Sequence, residues 1–88
     1  MVELREFKLN KVYEHNNTRA YEFKAIAKSE TRKNKYYNVV VRIAVKANKP
    51  TIHSYMCECE AYIYGSMCKH VTTTYNRALK TLRAMRVI

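Results

Sequence analysis

Apolar and polar positions alternate along residues 36–46, and this is the most regular pattern in the chain. Successive side chains of a strand point to opposite faces, so the alternation predicts a strand with one buried face. The polar face contains Asn38, Arg42 and Lys46, and the apolar face contains Tyr37, Val39, Val41, Ile43 and Val45.

Further strands are predicted on both sides of this segment. Residues 20–28 alternate too, with Glu22, Lys24 and Lys28 mostly opposite the apolar face of Tyr21, Phe23, Ala25 and Ala27. Residues 51–56 are predicted as a shorter partner strand, after a hairpin turn at 47–51 that contains the single proline. Residues 15–18 predict a turn and residues 29–35 a charged loop. The first dozen residues fit neither period, and a strand from about 8 to 14 is favoured.

The C-terminal segment has the periodicity of a helix. A helix is predicted over residues 67–86, with Ser66 as a candidate cap. Its apolar positions recur at helical spacing: Val71, Tyr75, Ala78, Leu79, Leu82 and Met85. We therefore expect an α+β fold, an antiparallel sheet of three or four strands with this helix packed on one face. The length predicts a single domain over residues 1–88.

All three cysteines lie close together, just before the predicted helix. The order is Cys57-Glu58-Cys59, eight residues, and then Cys68-Lys69-His70. Cysteines at i, i+2 of a strand end can point to one side, and Cys68 can meet His70 if it lies at the helix entry. Three thiolates and an imidazole complete a tetrahedral zinc site, so Cys57, Cys59, Cys68 and His70 are predicted to bind one structural Zn²⁺ ion.

Other interpretations of this cluster stay open. An odd, clustered set of cysteines is not a disulfide framework, but the residues can be buried free thiols with an incidental histidine. A [2Fe–2S] cluster can also use such a set. His15 and His53 are alternative ligands, although a surface or packing role fits His53 better on its predicted strand.

The segment from Ser54 to Val71 resembles the SWIM zinc finger, most closely at the step Cys68-Lys69-His70-Val71. The resemblance covers about residues 36–82 and departs from the family at Glu60, where many members have proline. It implies a ββα zinc unit, here the finger proper at about 51–86 preceded by the strands within 8–46. It also implies that Cys57, Cys59, Cys68 and His70 are the ligands, and a role in DNA binding or protein–protein interaction.

The net charge is +10, from 17 Lys and Arg residues against 7 acidic ones. A charge this large on a small chain favours a polyanionic partner, nucleic acid first, although it can also serve solubility alone. The candidate contacts are Lys69, Arg77, Lys80, Arg83 and Arg86 on the helix and Arg32, Lys33 and Lys35 in the charged loop. Tyr62 and Tyr64 can stack on bases or cover the zinc site.

These features predict a small zinc module that binds nucleic acid, most simply DNA through its phosphates. The alternative is a protein-interaction adaptor in a recombination, transcription or defence complex. An enzyme is not expected, because four protein ligands leave zinc no open position. No small-molecule substrate is expected either.

No apolar run approaches about 18 residues, so a transmembrane helix is not expected. Among polyanionic partners an anionic membrane surface ranks second to nucleic acid, and no membrane partner is predicted. The first residues lack the apolar region of a signal peptide. An intracellular location is therefore expected, cytoplasmic or, in a eukaryote, nuclear, where cysteines stay reduced.

Overall fold

The structure is a computed structural model that describes residues 4–28, 34–58 and 68–88. These residues form four strands and one helix: β1 (Leu4–His15), β2 (Thr18–Lys28), β3 (Tyr36–Lys46), β4 (Lys49–Cys57) and α1 (Lys69–Ala84). The strands make one antiparallel sheet in the order β1-β2-β3-β4, and α1 packs against β2, β3 and β4. The predicted α+β architecture is confirmed, with four strands.

The turns between paired strands enter the left-handed backbone region, mostly at asparagine, which tolerates it better than other residues with a Cβ. Asn16 has φ 53° in the turn between β1 and β2, and Ala47 and Asn48 have φ 51° and 63° between β3 and β4. Two positive φ values in a two-residue loop match the twist of the flanking strands. Pro50 lies inside β4, opposite Val45, rather than in the turn. Proline lacks a backbone N–H and is accepted there because β4 is an edge strand.

The covered face of the sheet, on which α1 packs, carries the apolar residues that the alternation predicted. Phe23 of β2 and Val39, Val41 and Ile43 of β3 have no exposed surface. The Phe23 ring stacks on Phe7 of β1, with the ring centroids 5.4 Å apart. The prediction of a buried apolar face on β2 and β3 is therefore confirmed.

The helix differs from its prediction at both ends. It begins at Lys69 with Cys68 at the N-cap, whereas the expected cap Ser66 lies outside the described residues. Met85 was predicted in the packed stripe, but the helix ends at Ala84 and Met85 is exposed. Thr74 is fully buried in the stripe instead, because its hydroxyl donates to the His70 carbonyl oxygen at 2.7 Å. The stripe is Val71, Thr74, Ala78 and Leu82.

β1 is longer than the predicted 8–14, and its alternation is interrupted twice. Its register against β2 shifts between Arg5 and Lys8 and again between Leu9 and Lys11. Glu6, within the first shift, has φ 52°. Each inserted residue changes the face to which the following side chains point. The sequence of β1 therefore matches no single period.

The open face, opposite α1, mixes charged and polar side chains with apolar ones such as Val40 and Met56, and contains one buried carboxylate among the described residues. Glu22 is 4% exposed although it lies among the polar positions of β2. It accepts hydrogen bonds from Asn10 Nδ2 at 2.6 Å and Arg42 Nε at 2.8 Å. These contacts from two neighbouring strands compensate its charge. They hold the pKa of Glu22 below its ordinary value of 4.5, with the Asn10 hydrogen bond as the largest cause, although burial acts in the opposite direction.

The described part of the chain contains no helix that is long and apolar enough to cross a membrane.

Candidate metal centre

Cys57 occupies the last position of β4, at the edge of the sheet. It pairs with Val39 of β3, and its side chain is 1% exposed. Residues opposite each other in a sheet share a face, so Cys57 lies on the same side as the fully buried Val39 and the helix. The apolar alternation of β3 and β4 thus places a thiol at the end of the core.

Cys68 and His70 come from the start of α1. Cys68 has extended backbone angles, φ −82° and ψ 167°, and its carbonyl accepts the first helical hydrogen bond from the Thr72 N–H at 3.1 Å. His70 is the second residue of the helix. The expectation that Cys68 lies at the helix entry with His70 in its first turn is therefore confirmed.

The three side chains converge on one point. His70 Nδ1 lies 3.7 Å from the Cys57 sulfur and 3.8 Å from the Cys68 sulfur. All three ligand atoms lie within 4.8 Å of one another. On a tetrahedral zinc ion, with sulfurs at about 2.3 Å and a nitrogen at about 2.0–2.1 Å, a sulfur and a nitrogen stand about 3.6 Å apart and two sulfurs about 3.8 Å. The two sulfur–nitrogen distances are within about 0.2 Å of that value. The spacing of this Cys57–Cys68–His70 cluster fits a shared zinc ion.

Neighbouring residues hold the His70 ring and its backbone. Tyr37 packs against the imidazole with ring centroids 5.4 Å apart and planes tilted by 37°. The Thr74 hydroxyl donates to the His70 carbonyl from one turn further along. Neither contact was predicted. The Thr74 contact could have been predicted, because a threonine four residues after a predicted ligand, within an apolar stripe, can donate its hydroxyl to that ligand's carbonyl.

Three of the four predicted ligands are thus brought together. Cys59, the fourth, lies outside the described residues. The alternative ligands His15 and His53 are exposed and line a depression that also includes Asn16 and Lys46, so neither belongs to the cluster. The identification of Cys59 as a ligand stays a prediction.

The basic residues predicted to contact nucleic acid are exposed where the structure describes them: Lys35, Lys69, Arg77, Lys80, Arg83 and Arg86. Two of them already contact aromatic rings. The Arg77 guanidinium lies 4.9 Å from the centroid of Phe7, and Lys35 Nζ lies 5.8 Å from that of Tyr37. Arg32, Lys33, Tyr62 and Tyr64 lie outside the described residues.

Comparison with protein-family models, with curated proteins and with solved structures gave no significant match. The resemblance to the SWIM finger therefore rests on the motif itself and on the three side chains that the fold brings together.

Proposed function

We propose that the chain is a structural-zinc module that binds nucleic acid. The observation that carries the zinc proposal is the convergence of Cys57, Cys68 and His70 from the end of β4 and the start of α1. Cys59 is the fourth ligand in this proposal, which leaves zinc no position for a substrate and no catalytic role.

The metal acts by joining two elements that are separated in sequence. Residues 58–67 lie between Cys57 and Cys68, and α1 packs less extensively against each strand than the strands pack against one another. Zinc bonds across this junction fix the start of α1 over β3 and β4. Because no such site exists in the unfolded chain, binding energy becomes folding energy.

The charge supports nucleic acid as the partner. Basic residues exceed acidic ones by 10, and Glu22, a buried acid, is neutralised within the protein by Arg42. A surface of this kind binds phosphates with little sequence preference, and affinity falls as salt rises because counterions are released.

The test measures zinc content and nucleic-acid affinity on the same purified protein, with and without a chelator. We expect bound zinc, and an affinity for a labelled oligonucleotide that falls steeply between about 50 and 200 mM salt. Absence of binding at about 50 mM salt, or binding that does not change with salt, contradicts the nucleic-acid proposal.

A pull-down distinguishes the adaptor alternative. Retention of a specific protein after nuclease treatment, together with no affinity for the oligonucleotide, replaces the nucleic-acid proposal with that of a protein-interaction adaptor. Zinc binding is shared by both functions, so it is decided separately by the metal content.

A further inference from the structure

We propose that single-stranded nucleic acid binds on the open face of the sheet, opposite α1, rather than along the helix. This inference rests on the proposed function and names the surface that performs it. The sheet register, the shape of the face and its exposed aromatic side chains each support it.

The strand register collects basic residues on this face. Residues paired across neighbouring strands share a face, so the pairs that contain Lys24, Arg42 and Ala44 define the open side. The single carboxylate among its paired positions in the described strands is Glu22, which is buried against Arg42 and Asn10. The basic members are Arg5, Lys8, Lys11, Lys24, Lys28, Arg42, Lys46 and Lys49.

Two further acids border the open face at one end. Glu58, just after β4, accepts a hydrogen bond from Asn38 Nδ2 at 2.5 Å, and Glu6 lies within the first register shift of β1. Both line a depression that also contains Lys8 and Lys24. Basic side chains therefore outnumber acids along the described face, and its exposed acids are confined to this end.

Two of the pairs place like charges directly opposite each other. Lys8 pairs with Lys24, and Lys46 pairs with Lys49. Like charges in directly opposed positions destabilise a sheet. A polyanion laid across the face removes this repulsion, and core packing does not require it, because these side chains point away from α1.

The open face carries shallow depressions along its length. Three adjoining depressions of about 360, 380 and 470 Å³ follow the sheet. The first two share Lys24, Val40 and Met56, and the last two share Tyr13. We call these depressions together the trough, and their lining includes Lys8, Lys11, Lys24 and Lys46, side chains suited to phosphates.

Exposed aromatic rings indicate a single strand rather than a duplex. Tyr13 is 43% exposed within the trough. Tyr36, further along the same face, is 37% exposed and has the Arg5 guanidinium 5.2 Å from its ring centroid, so Tyr13 is the stronger stacking candidate. The partners of the two tyrosines on β2, Ala20 and Lys28, are eight residues apart, so the two positions are separated by about 26 Å along the strands at about 3.3 Å per residue. Aromatic rings stack on bases only when the bases are unpaired.

The helix lacks this combination. Lys80 and Arg83 are exposed on the side of α1 away from the sheet, and Arg77 is placed over Phe7. The described exposed side of the helix has no aromatic ring between these charges. It adds to the general attraction for polyanions without a platform for bases.

The experiment compares charge-matched double variants by fluorescence anisotropy. Lys8→Gln/Lys24→Gln removes two charges from the open face, and Lys80→Gln/Arg83→Gln removes two from the helix. The probes are an oligothymidylate of about eight nucleotides and a duplex of equal length. All four side chains are exposed, and thermal melts verify that each variant folds.

We expect the wild type to prefer the single strand and the open-face variant to bind about tenfold or more weakly. The slope of its affinity against salt should also fall by about 0.7 for each phosphate that is no longer neutralised. The helix variant should keep most of its affinity. Tyr13→Leu should weaken binding about tenfold, and Tyr13→Phe should retain it, because stacking needs the ring.

Weakened binding in the helix variant with retention in the open-face variant overturns this inference but leaves the proposed function standing. A preference for the duplex overturns the single-strand assignment. No binding by the wild type to either probe contradicts the proposed function and this inference together.

Discussion

On the covered face of the sheet, apolar side chains pack against α1 and lead to the Cys57–Cys68–His70 cluster at one end. On the open face, the same strands present lysines and arginines, two pairs of them directly opposed. Both faces come from one alternation, since the residues between Val39, Val41 and Ile43 in β3 point the other way.

The difference shows how the work is divided between the two faces. The covered face specifies the fold, because burial of apolar surface fixes the register and docks the helix. The open face contributes little to the core and retains like-charge contacts that cost stability. We therefore expect covered-face substitutions to change folding and open-face substitutions to change binding.

Loss of a metal ligand should have the largest effect. Cys57→Ser keeps the approximate size of the side chain but removes a thiolate, so zinc binding and the docking of α1 should both fail. Structural zinc contributes on the order of 10 kcal/mol in small fingers, and a loss of several kcal/mol is expected. Circular dichroism melts, with and without chelator, measure it.

The chelator provides the internal control for this variant. It should destabilise the wild type and have no further effect on Cys57→Ser, because both treatments remove the same ion. Equal melting of wild type and variant under all conditions contradicts the role assigned to the metal.

Core truncation should come next. Phe23→Ala removes a fully buried ring that stacks on Phe7, and a loss of about 3–5 kcal/mol is expected. Val12→Ala is the control for burial, since Val12 lies on the same side of the sheet through its pairing with Tyr21 but is 52% exposed. It should change stability by less than about 0.5 kcal/mol in denaturant unfolding. Comparable losses in the two variants disagree with the assignment of the covered face.

The buried carboxylate on the open face should give a smaller effect that depends on pH. Because Asn10 and Arg42 lower the pKa of Glu22 in the folded protein, its stabilisation is complete above the unfolded value of 4.5. That stabilisation is lost as pH falls through the folded pKa, where the carboxylate takes up a proton. Glu22→Gln should therefore reduce stability at neutral pH and flatten the acid limb of the stability curve measured by denaturant unfolding.

Glu14→Gln is the control for this titration. Glu14 Oε1 lies 3.9 Å from Arg19 Nε, and both side chains are largely exposed. This ion pair should therefore contribute only about 0–1 kcal/mol to the free energy of unfolding. An acid limb that is unchanged in Glu22→Gln counts against the hydrogen-bonded carboxylate.

The smallest effect should have the opposite sign. Lys8→Gln relieves repulsion with Lys24, so the free protein should gain about 0.2–1 kcal/mol in chemical denaturation. The same substitution should weaken nucleic-acid binding. Lys80→Gln, on the helix, should leave stability nearly unchanged. A less stable Lys8→Gln protein contradicts the view that the open face carries repulsion for the sake of a partner.

The sequence predicted the parts of this comparison that depend on local pattern. Alternation identified β2 and β3, and the ligand spacing identified Cys57, Cys68 and His70. The alternation pattern failed for β1, where two register shifts break the period of two. It also could not reveal the buried state of Glu22, because the compensating groups come from other strands.

The predicted nucleic-acid contacts on the helix and charged loop also reflect this limit. A cluster of charges close together in sequence is visible at once, as at Lys80 and Arg83. The opposition of Lys8 to Lys24, or of Lys46 to Lys49, appears only when the strand register is known. Long-range pairing, rather than composition, therefore determines where the basic surface lies.

Whether zinc joins the sheet to the helix is decided by the metal content of the purified wild-type chain beside that of Cys68→Ser. Cys68 is 5% exposed, occupies the N-cap position of α1, and belongs to both the core and the metal cluster. We expect one zinc ion per wild-type chain and a loss of tightly bound zinc in the variant. A wild-type protein that folds and binds no zinc when the ion is supplied would contradict the metal-joined fold.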